Sequence, residues 1–371
     1  MSTNLSALFH HNLKLMKHVI ASFHVASFFL LEACLCQGAG QTWVVGWGDN
    51  TVGETGLPFV AKLSTNEPVK VPGYVYTNIL AIAAGSGHSL ALCADGTIFG
   101  WGGNSAGEAA GFETPYPYIP RGKVKVFGKS LEDIVAISAG DFFSLALKQD
   151  GTVVSWGDGR WSNRDQISVP SGVSNVIAIA AGGNCSVVLK NDGTIFGWGD
   201  RQPPASLSNI VKIAVGHGDF SPCLALSSDG SIIGWAGVDR VLPVPVEATN
   251  VMSIAAGAGH SLALRKDGTV VGWGRNRDGQ ATGVPIRSFP SETNGLVRLG
   301  GRVLSNVVAI AAGGDFSLAL KSDGSVIGWG DNSFHQIETP VGLSNVVAIA
   351  AGNQFCLAIT TNKAVADRFS H

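Results

Sequence analysis

The feature that most constrains the fold of this chain is a short unit that is written seven times. Its clearest copy has three apolar segments, Val307–Ala312, Ser317–Lys321 and Val326–Trp329, with a glycine after the first and an Asp-Gly pair between the second and third. The glycine recurs at Gly85, Gly140, Gly182, Gly216, Gly257, Gly313 and Gly352, and the tryptophan at Trp47, Trp101, Trp156, Trp198, Trp235, Trp273 and Trp329. Such recurrence is typical of repeat architectures, in which neighbouring units bury each other's apolar surface. Much of the high glycine content, 49 of 371 residues, is therefore explained by the repeat and does not indicate disorder.

Each segment is predicted to be a β-strand, because apolar runs of four to seven residues bounded by turn residues are too short for buried helices. Asp-Gly stands at 95–96, 150–151, 192–193, 229–230, 267–268 and 323–324. This pair predicts a tight hairpin turn between the second and third strands. A fourth strand at the outer edge is predicted at Val71-Pro72, Val169-Pro170 and Val244-Pro245, where the missing N–H of proline does no harm. Each unit is thus predicted to be a four-stranded antiparallel meander.

The number of turns predicts how the units close. There are six Asp-Gly turns but seven copies of the strand on each side, because the chain begins with a third strand, Val44–Gly48, and ends with a second strand, Cys356–Thr360. These two halves would complete one unit and remove an exposed sheet edge. We expect an all-β fold, a seven-bladed β-propeller of four-stranded antiparallel blades closed by pairing of the N- and C-terminal strands. The expected domains are a leader at 1–40, the propeller at 41–361 and a tail at 362–371.

The stretch from 255 to 280 reads Ala-Ala-Gly-x-x-His-Ser-Leu-Ala-Leu-x-x-Asp-Gly-Thr-Val-x-Gly-Trp-Gly-x-Asn-x-x-Gly-Gln. This pattern resembles the repeat of the regulator of chromosome condensation family, and the resemblance covers Val44 to about Thr360. The family includes a nuclear nucleotide-exchange factor for a small GTPase and a secreted bacterial propeller that inhibits β-lactamases. The resemblance implies a propeller with most likeness to the secreted bacterial members. The histidine of the pattern is kept only at His88 and His260; other units have Phe143, Cys185, Phe316 and Phe355.

The first forty residues predict export. Lys14 and Lys17 precede the apolar run Val19–Leu31, and the small residues of Cys36–Gly40 follow it. Thirteen apolar residues suit a secretory signal better than a bilayer-spanning helix, which needs about 20. The start is Met1 or Met16, and two alternatives stay open: a short membrane anchor, and lipid attachment at Cys34 after Leu31-Glu32-Ala33. We expect a secreted, periplasmic or cell-surface protein with no membrane span once the leader is removed.

Composition and motifs exclude several classes of function. A net charge of -2 gives no basic footprint for nucleic acid. No catalytic elbow, metalloprotease motif or phosphate loop occurs, so no enzyme and no cofactor are predicted. His217 and Asp219 supply two ligands where zinc needs three or four, so no metal is predicted. Cys93, Cys185, Cys223 and Cys356 fit no metal or disulfide pattern and are predicted to be free thiols. We expect a monomer that binds a protein or a glycan.

Strand direction predicts where that partner binds. The loops after the repeat glycines and after Gly-Trp-Gly should lie on one face, together with the extra segments at about 49–68, 103–130 and 275–303. Variable loops on a rigid scaffold commonly display binding sites, and aromatic and arginine side chains dominate interfaces. The candidate contacts are Phe112, Tyr116, Tyr118, Asp141, Phe142, Arg160, Trp161, Asp219, Phe220, Arg275, Arg277, Asp315, Phe334 and Gln354. The hypothesis is a non-enzymatic binding scaffold. The alternatives are an enzyme inhibitor of the β-lactamase-inhibitor type, or an exchange-like regulator of guanine nucleotides if the chain is not exported.

Overall fold

The computed structural model describes residues 42–55, 78–112, 122–157, 166–205, 207–218, 221–236, 241–288 and 292–362. Throughout these residues the regular secondary structure is β-strand, which confirms the all-β prediction. The predicted leader and the tail beyond Asn362 lie outside them. Among the residues described, none forms a helix that could cross a membrane.

Within the part of the chain that the structure describes, twenty-eight strands follow one another. Strands β1 to β7 are Trp43–Gly48, Ile79–Ala84, His88–Cys93, Ile98–Gly102, Gly122–Lys123, Lys125–Val126 and Lys129–Ser130. Strands β8 to β13 are Ile134–Ala139, Phe143–Lys148, Val153–Gly157, Val176–Gly182, Cys185–Lys190 and Ile195–Gly199. Strands β14 to β20 are Ile210–Val215, Cys223–Ser227, Ile232–Trp235, Val241–Leu242, Val251–Ala256, His260–Arg265 and Val270–Arg275. Strands β21 to β28 are Glu292–Leu296, Arg298–Leu299, Arg302–Val303, Val307–Ala312, Phe316–Lys321, Val326–Gly330, Val346–Ala351 and Phe355–Thr360.

The strands form seven antiparallel sheets of three or four strands, plus two isolated hairpins, β6-β7 and β22-β23. In chain order the sheets are β2-β3-β4-β5, β8-β9-β10, β11-β12-β13, β14-β15-β16-β17, β18-β19-β20-β21, β24-β25-β26 and β27-β28-β1. The last of these joins the two ends of the chain, with Trp43 opposite Thr360 and Gly48 opposite Phe355.

The prediction that the Val-Pro segments are fourth strands is wrong for the two segments that the structure describes. Among the described residues the fourth strands are β5, β17 and β21, and four sheets have three strands. Pro170 and Pro245 instead begin turns, in which their carbonyls accept the N–H groups of Val173 at 3.3 Å and Ala248 at 3.0 Å. Proline lacks the N–H that an inner strand must donate, whereas its carbonyl can accept the hydrogen bond that closes a turn. Val71-Pro72 lies outside the described residues.

The core lies between consecutive sheets. The second strand of each sheet, such as β3 or β25, is buried along nearly its whole length. Leu90 and Leu92 of one sheet pack with Trp156 of the next. Phe355 of the last sheet packs in the same way with Trp101 of the first. Strand β2, which is the first strand of its own sheet, contacts β8 of the following sheet and β27 of the sheet that contains the C-terminal strand β28.

The Asp-Gly turns differ in detail from the expected two-residue form. Only the glycine of the pair has a positive φ, for example 76° at Gly268. The turn has three residues between the last bonded pair of the two strands, because Arg265 N–H donates to Thr269 O at 2.9 Å. The Asp267 carboxylate accepts the N–H and the hydroxyl of Thr269 at 3.0 and 2.6 Å, which lowers the pKa of this carboxyl. A turn with one left-handed glycine of this kind is the usual three-residue hairpin connection.

A second recurring turn residue was missed in the sequence. The residue before each first strand has a left-handed backbone, with φ between 52° and 62°, at Asn78, Asp133, Asn175, Asn209, Asn250, Asn306 and Asn345. Asparagine and aspartate tolerate this conformation better than other non-glycine residues. The Asn250 carbonyl accepts the N–H of Lys266 at 2.8 Å, which ties the start of the first strand to the Asp-Gly turn.

Candidate functional site: the glycine-loop end

The loops that follow the repeat glycines meet at one end of the sheets, which we call the glycine-loop end. Backbone hydrogen bonds join the loops of neighbouring sheets: Ser86 N to Gly140 O, Asp141 N to Gly183 O, Ala258 N to Gly313 O, Gly314 N to Asn353 O and Asn353 N to Gly85 O, over 3.0 to 3.4 Å. The last of these bonds connects the loop of the last sheet to that of the first. Among the described residues these bonds join five pairs of neighbouring loops, and we call the bonded loops the rim.

The repeat glycines are required because the rim is too tight for a side chain. A Cβ atom at Gly257 would lie 2.5 Å from Gly313 O, and one at Gly216 would lie 2.1 Å from Gly257 O. Comparable contacts with the next loop's carbonyl, at 2.3 to 2.7 Å, occur at Gly85, Gly182, Gly313 and Gly352. Real Cβ atoms do not approach oxygen so closely, so only glycine allows adjacent loops to touch.

The loops that follow Gly-Trp-Gly lie at the same end. Their first N–H groups donate to the glycine loop of the same sheet: Asp49 N to Gln354 O, Gly103 N to Gly87 O, Asp200 N to Asn184 O, Arg275 N to Gly259 O and Asp331 N to Asp315 O, over 2.7 to 3.1 Å. Both sets of loops that the sequence assigned to one face thus occur together.

The repeat tryptophans link one sheet to the next. All seven are buried. The indole Nε1 of Trp101 donates to Glu54 O at 2.8 Å, and that of Trp329 donates to Gln280 O at 3.0 Å. The same bond is made by Trp156 to Glu108 O, Trp198 to Gln166 O and Trp47 to Gln336 O, over 2.8 to 2.9 Å. The glutamine or glutamate of the repeat is therefore a structural hub. Its place seven residues after a repeat tryptophan, at Glu54, Glu108, Gln280 and Gln336, was the sequence signal for it.

Glu54 occupies this hub position in the first unit and is nearly inaccessible to solvent. Burial and the neighbouring Asp49 carboxylate raise its pKa to about 8. In the last unit the corresponding Gln336 donates from Nε2 to Asp331 Oδ2 at 2.9 Å. Glu54 is therefore protonated at neutral pH and takes the place of the glutamine found in that unit.

His88 and His260 lie under the rim as neutral packing residues. Both are fully buried, and their Nε2 atoms lie 2.9 Å from Ser144 Oγ and 2.8 Å from Ser317 Oγ of the next sheet. Each serine hydroxyl donates to a hub carbonyl, so the histidine Nε2 carries the proton and donates to the serine. Burial lowers the pKa of both histidines to about 3. Phe143, Phe316 and Phe355 fill the same position in other units and are fully buried.

The one enlarged glycine loop is bonded to its neighbours. The Asp141 carboxylate accepts the N–H of Gly218 at 3.2 Å and lies 3.5 Å from His217 Nδ1. The buried Arg201 guanidinium donates to Ser221 Oγ and to Gly218 O, both at 2.7 Å. Asp219 lies outside the described residues, and the residues inside them contain no group of three metal-ligating side chains.

A second polar group spans two sheets at this end. Gln280 Nε2 donates to Asp315 Oδ1 at 2.8 Å, and Arg275 Nη1 lies 3.6 Å from the same oxygen. The Arg275 side chain is 54% exposed and the Asp315 side chain 38% exposed, so both can reach a partner.

The structure brings several of the predicted contacts together. Asp141, Phe142, Arg275, Asp315 and Gln354 lie on the bonded loops, Phe142 is 46% exposed, and Arg277 and Phe334 lie in the turns that follow Gly-Trp-Gly. Tyr116, Tyr118, Arg160, Trp161, Asp219 and Phe220 are outside the described residues.

Phe112 lies between the rim and the β6-β7 hairpin. Its carbonyl is bonded to Asn104, the residue after the rim-bonded Gly103, while a Cβ on the preceding Gly111 would be 2.4 Å from Lys125 O. The corresponding Val284, 52% exposed, was missed by the sequence analysis. Asn104 Nδ2 donates to Phe112 O and Asn276 Nδ2 to Val284 O, both at 2.7 Å, so Val284 occupies the position of Phe112 in its own unit. The shared spacing of asparagine and glycine in the two repeats was the sequence signal that could have identified Val284.

Comparison with known proteins identifies the repeat. The family model described as "Regulator of chromosome condensation (RCC1) repeat" matches residues 79–108, 134–160, 251–280 and 307–336. The chain carries RCC1 repeats. The resemblance inferred from the sequence is thereby confirmed.

Two curated relatives cover most of the chain. The mitochondrial RCC1 domain-containing protein RUG3 of Arabidopsis thaliana is 28% identical over 81% of this chain, which spans 64% of that protein. The E3 ubiquitin-protein ligase HERC2 of Homo sapiens is 28% identical over 72% of this chain, which spans 5% of that protein. The chain therefore spans less than two thirds of either relative.

Solved structures show the same fold. Prp20p of Saccharomyces cerevisiae, a protein with binding properties to Gsp1p and histones, superposes with a TM-score of 0.67 at 21% identity, covering 89% of this chain and 94% of that one. Human WBSCR16 superposes with a TM-score of 0.59 at 18% identity, covering 86% and 99%. This chain with RCC1 repeats therefore folds as a β-propeller.

Proposed function

We propose that the seven sheets are the blades of one closed propeller spanning residues 41–361. Three sets of bonds support closure. β1 pairs with β28. Asn353 N donates to Gly85 O across the rim. Trp47 donates to Gln336 O, so the hub bond also passes from the end of the chain to its start.

We further propose that the propeller is a non-enzymatic scaffold that binds a protein or glycan at the glycine-loop end. The observation that carries this proposal is the bonded rim, which presents the exposed side chains of Phe142 and Arg275 on a rigid frame. Rigid presentation lowers the entropy lost on binding, and aromatic and arginine side chains contribute most at interfaces. Binding of protein partners by Prp20p is consistent with such a role.

Export completes the proposal and rests on the leader pattern of residues 1–40. The expected place of the protein is outside the cytoplasm, as a secreted, periplasmic or surface protein. N-terminal sequencing of the protein recovered from its producing cell should give a start near Gln41. A chain that still begins at Met1 or Met16 would contradict export.

The binding proposal is tested with a double variant of the rim, Phe142→Ala with Arg275→Ala. We expect it to lose, by at least tenfold, a partner that the immobilised wild-type protein retains from the surface fraction, as quantified by mass spectrometry. Phe196→Ala is the matched control, because Phe196 is 39% exposed but lies on strand β13, away from the rim. Equal retention by all three proteins would contradict the assignment to the glycine-loop end.

A further inference from the structure

Two equivalent hairpins lie at the opposite end of the sheets, which we call the Asp-Gly end. β6 pairs with β7 through Lys125 opposite Ser130 and Val126 opposite Lys129. β22 pairs with β23 through Arg298 opposite Val303 and Leu299 opposite Arg302. Each hairpin follows an outer segment that runs along its sheet from the glycine-loop end to the Asp-Gly end. The end of each segment is bonded to the first residue of the neighbouring strand, since Val124 N donates to Ile98 O and Val297 N donates to Val270 O.

The two hairpins have the same turn but different residues in it. Both central residues are left-handed: Phe127 and Gly128 have φ values of 51° and 77°, and Gly300 and Gly301 have 57° and 78°. Glycine adopts this conformation without steric cost, whereas for a bulky residue it is an outlier. Phe127 thus occupies a position at which glycine would be more stable.

Phe127 contributes no packing in return for this strain. Its side chain is 95% exposed, the highest value among the large hydrophobic residues that the structure describes. A strained residue that does nothing for the fold points to a role in function.

The surroundings of Phe127 are basic and carry a second aromatic side chain. Residues 121–130 contain four of the chain's 25 lysines and arginines and no acidic residue. Lys123, Lys125 and Lys129 are exposed. Phe112, 53% exposed, follows Gly111, which packs on the Lys125 carbonyl. We call this set, Phe112, Lys123, Lys125, Phe127 and Lys129, the hairpin patch.

We propose that the hairpin patch docks the propeller on an anionic lipid surface, with Phe127 entering the headgroup region and the lysines contacting the lipid charges. Exposed aromatic side chains beside lysines combine the two forces that hold peripheral proteins at such surfaces: burial of apolar area and attraction to anionic lipids. This inference does not rest on the proposed partner at the glycine-loop end, since the two surfaces lie at opposite ends of the sheets.

The distribution of other exposed apolar side chains favours a bilayer over a protein pocket. Val246 and Val341 are 86% and 84% exposed, and each lies in a turn shortly before the left-handed residue that starts a first strand, Asn250 or Asn345. Phe127 precedes Asp133, the residue of this kind in its own unit, by six positions, whereas the two valines precede theirs by four. A flat surface can meet exposed side chains of several units at this end together, whereas a pocket would hold only one.

Phe127→Gly is the central variant of the test. It removes the aromatic side chain and installs the residue that the β22-β23 hairpin has in the same turn, so its melting temperature should equal or exceed that of the wild type. In sedimentation with vesicles of phosphatidylcholine and phosphatidylglycerol we expect at least fivefold less bound protein for F127G than for the wild type. The pair K125Q and K129Q should reduce binding to these vesicles toward the level seen with phosphatidylcholine alone. Phe196→Ala is the matched control, because Phe196 is an exposed phenylalanine outside the hairpin patch, and this variant should bind as much as the wild type.

A local probe separates the hairpin patch from any contribution of the leader. The environment-sensitive dye NBD, attached to F127C in the full chain, should shift to the blue and brighten when anionic vesicles are added, whereas NBD at F196C should not. No change at position 127, together with equal sedimentation of F127G and wild type, would overturn the proposal. A protein captured by wild type and lost in F127G, with no response of the probe to vesicles, would also overturn it and make the patch a protein interface.

Discussion

The two ends of the sheets are built under different spatial constraints. At the glycine-loop end a Cβ on Gly257 would lie 2.5 Å from the next loop, whereas at the Asp-Gly end of the same unit one on Gly268 would find its nearest neighbour at 3.4 Å. Both ends join consecutive units by backbone hydrogen bonds, such as Val307 N to Gly268 O at 3.1 Å. The glycine-loop end, which we also call the tight end, therefore leaves less space between neighbouring units than the Asp-Gly end, which we call the roomier end. The tight end determines how closely the units pack, and the roomier end can carry additional elements such as the two hairpins.

The largest effect should come from adding one methyl group at the tight end. Gly257→Ala forces the Gly313 loop or the His260 ring to move and should lower the free energy of unfolding by more than about 3 kcal/mol. Gly268→Ala should cost only about 1 kcal/mol, from its left-handed backbone. Urea unfolding of both variants measures the difference. Equal losses would show that the two ends are equally crowded and would remove the basis of the comparison.

A smaller, pH-dependent effect should come from His260, directly beneath Gly257. Because burial keeps its folded pKa near 3, below the ordinary value of 6.5, the unfolded chain binds a proton that the folded chain does not, and stability is lost as pH falls from about 6.5 toward 3. His260→Phe, which installs the residue of the next unit, should leave stability at pH 8 within about 1 kcal/mol of wild type. It should raise stability at pH 5 by about 2 kcal/mol.

The measurement is the free energy of unfolding at the two pH values, with His335→Asn as the control, because asparagine tolerates the left-handed backbone of this residue. His335 is partly exposed, lies in an outer turn and has its Nδ1 3.1 Å from Glu338 Oε2, so its replacement should not relieve the acid sensitivity. Acid unfolding of H260F identical to that of the wild type would show that this histidine is already charged in the fold.

The smallest effect should come from the turn at the roomier end. Asp267→Ala removes the acceptor for the N–H and hydroxyl of Thr269, yet both groups remain accessible to water, so the loss should be about 1 kcal/mol or less. Asp267→Asn keeps an oxygen acceptor and should lose less than half of that. Thermal unfolding compares the pair; a loss as large as that of Gly257→Ala would show that the turns, and not the rim, determine how the units join.

Much of the fold could be predicted because each unit is specified locally. The strands, the Asp-Gly turns and the recurrence of glycine and tryptophan all follow from short-range patterns. The errors occurred where a residue has two local uses. Proline suits both an edge strand and the first residue of a turn, and at Pro170 and Pro245 the turn was formed.

The candidate site was less predictable because it depends on contacts between units. The side chains of Asp141, Arg275 and Asp315 were correctly grouped by loop position, but their bonds to Gly218 N–H and to Gln280 join residues 35 to 77 positions apart. Phe112 was grouped with them on position alone, and the contact of its neighbour Gly111 with Lys125 of the β6-β7 hairpin was not visible in the sequence.

The sequence by itself determined that this protein is a chain of RCC1 repeats, because periodicity records the strands and turns of each unit. Only the tertiary structure decided why the repeat residues are what they are. The glycines are fixed by the approach of the neighbouring loop and tryptophans such as Trp101 by a carbonyl in the preceding unit, while burial and the Asp49 carboxylate raise the pKa of Glu54. The exceptional residue, Phe127, is visible only when its left-handed turn is set beside the glycine turn of Gly300 and Gly301. Such relations depend on distances between units, which no pattern within a single unit encodes.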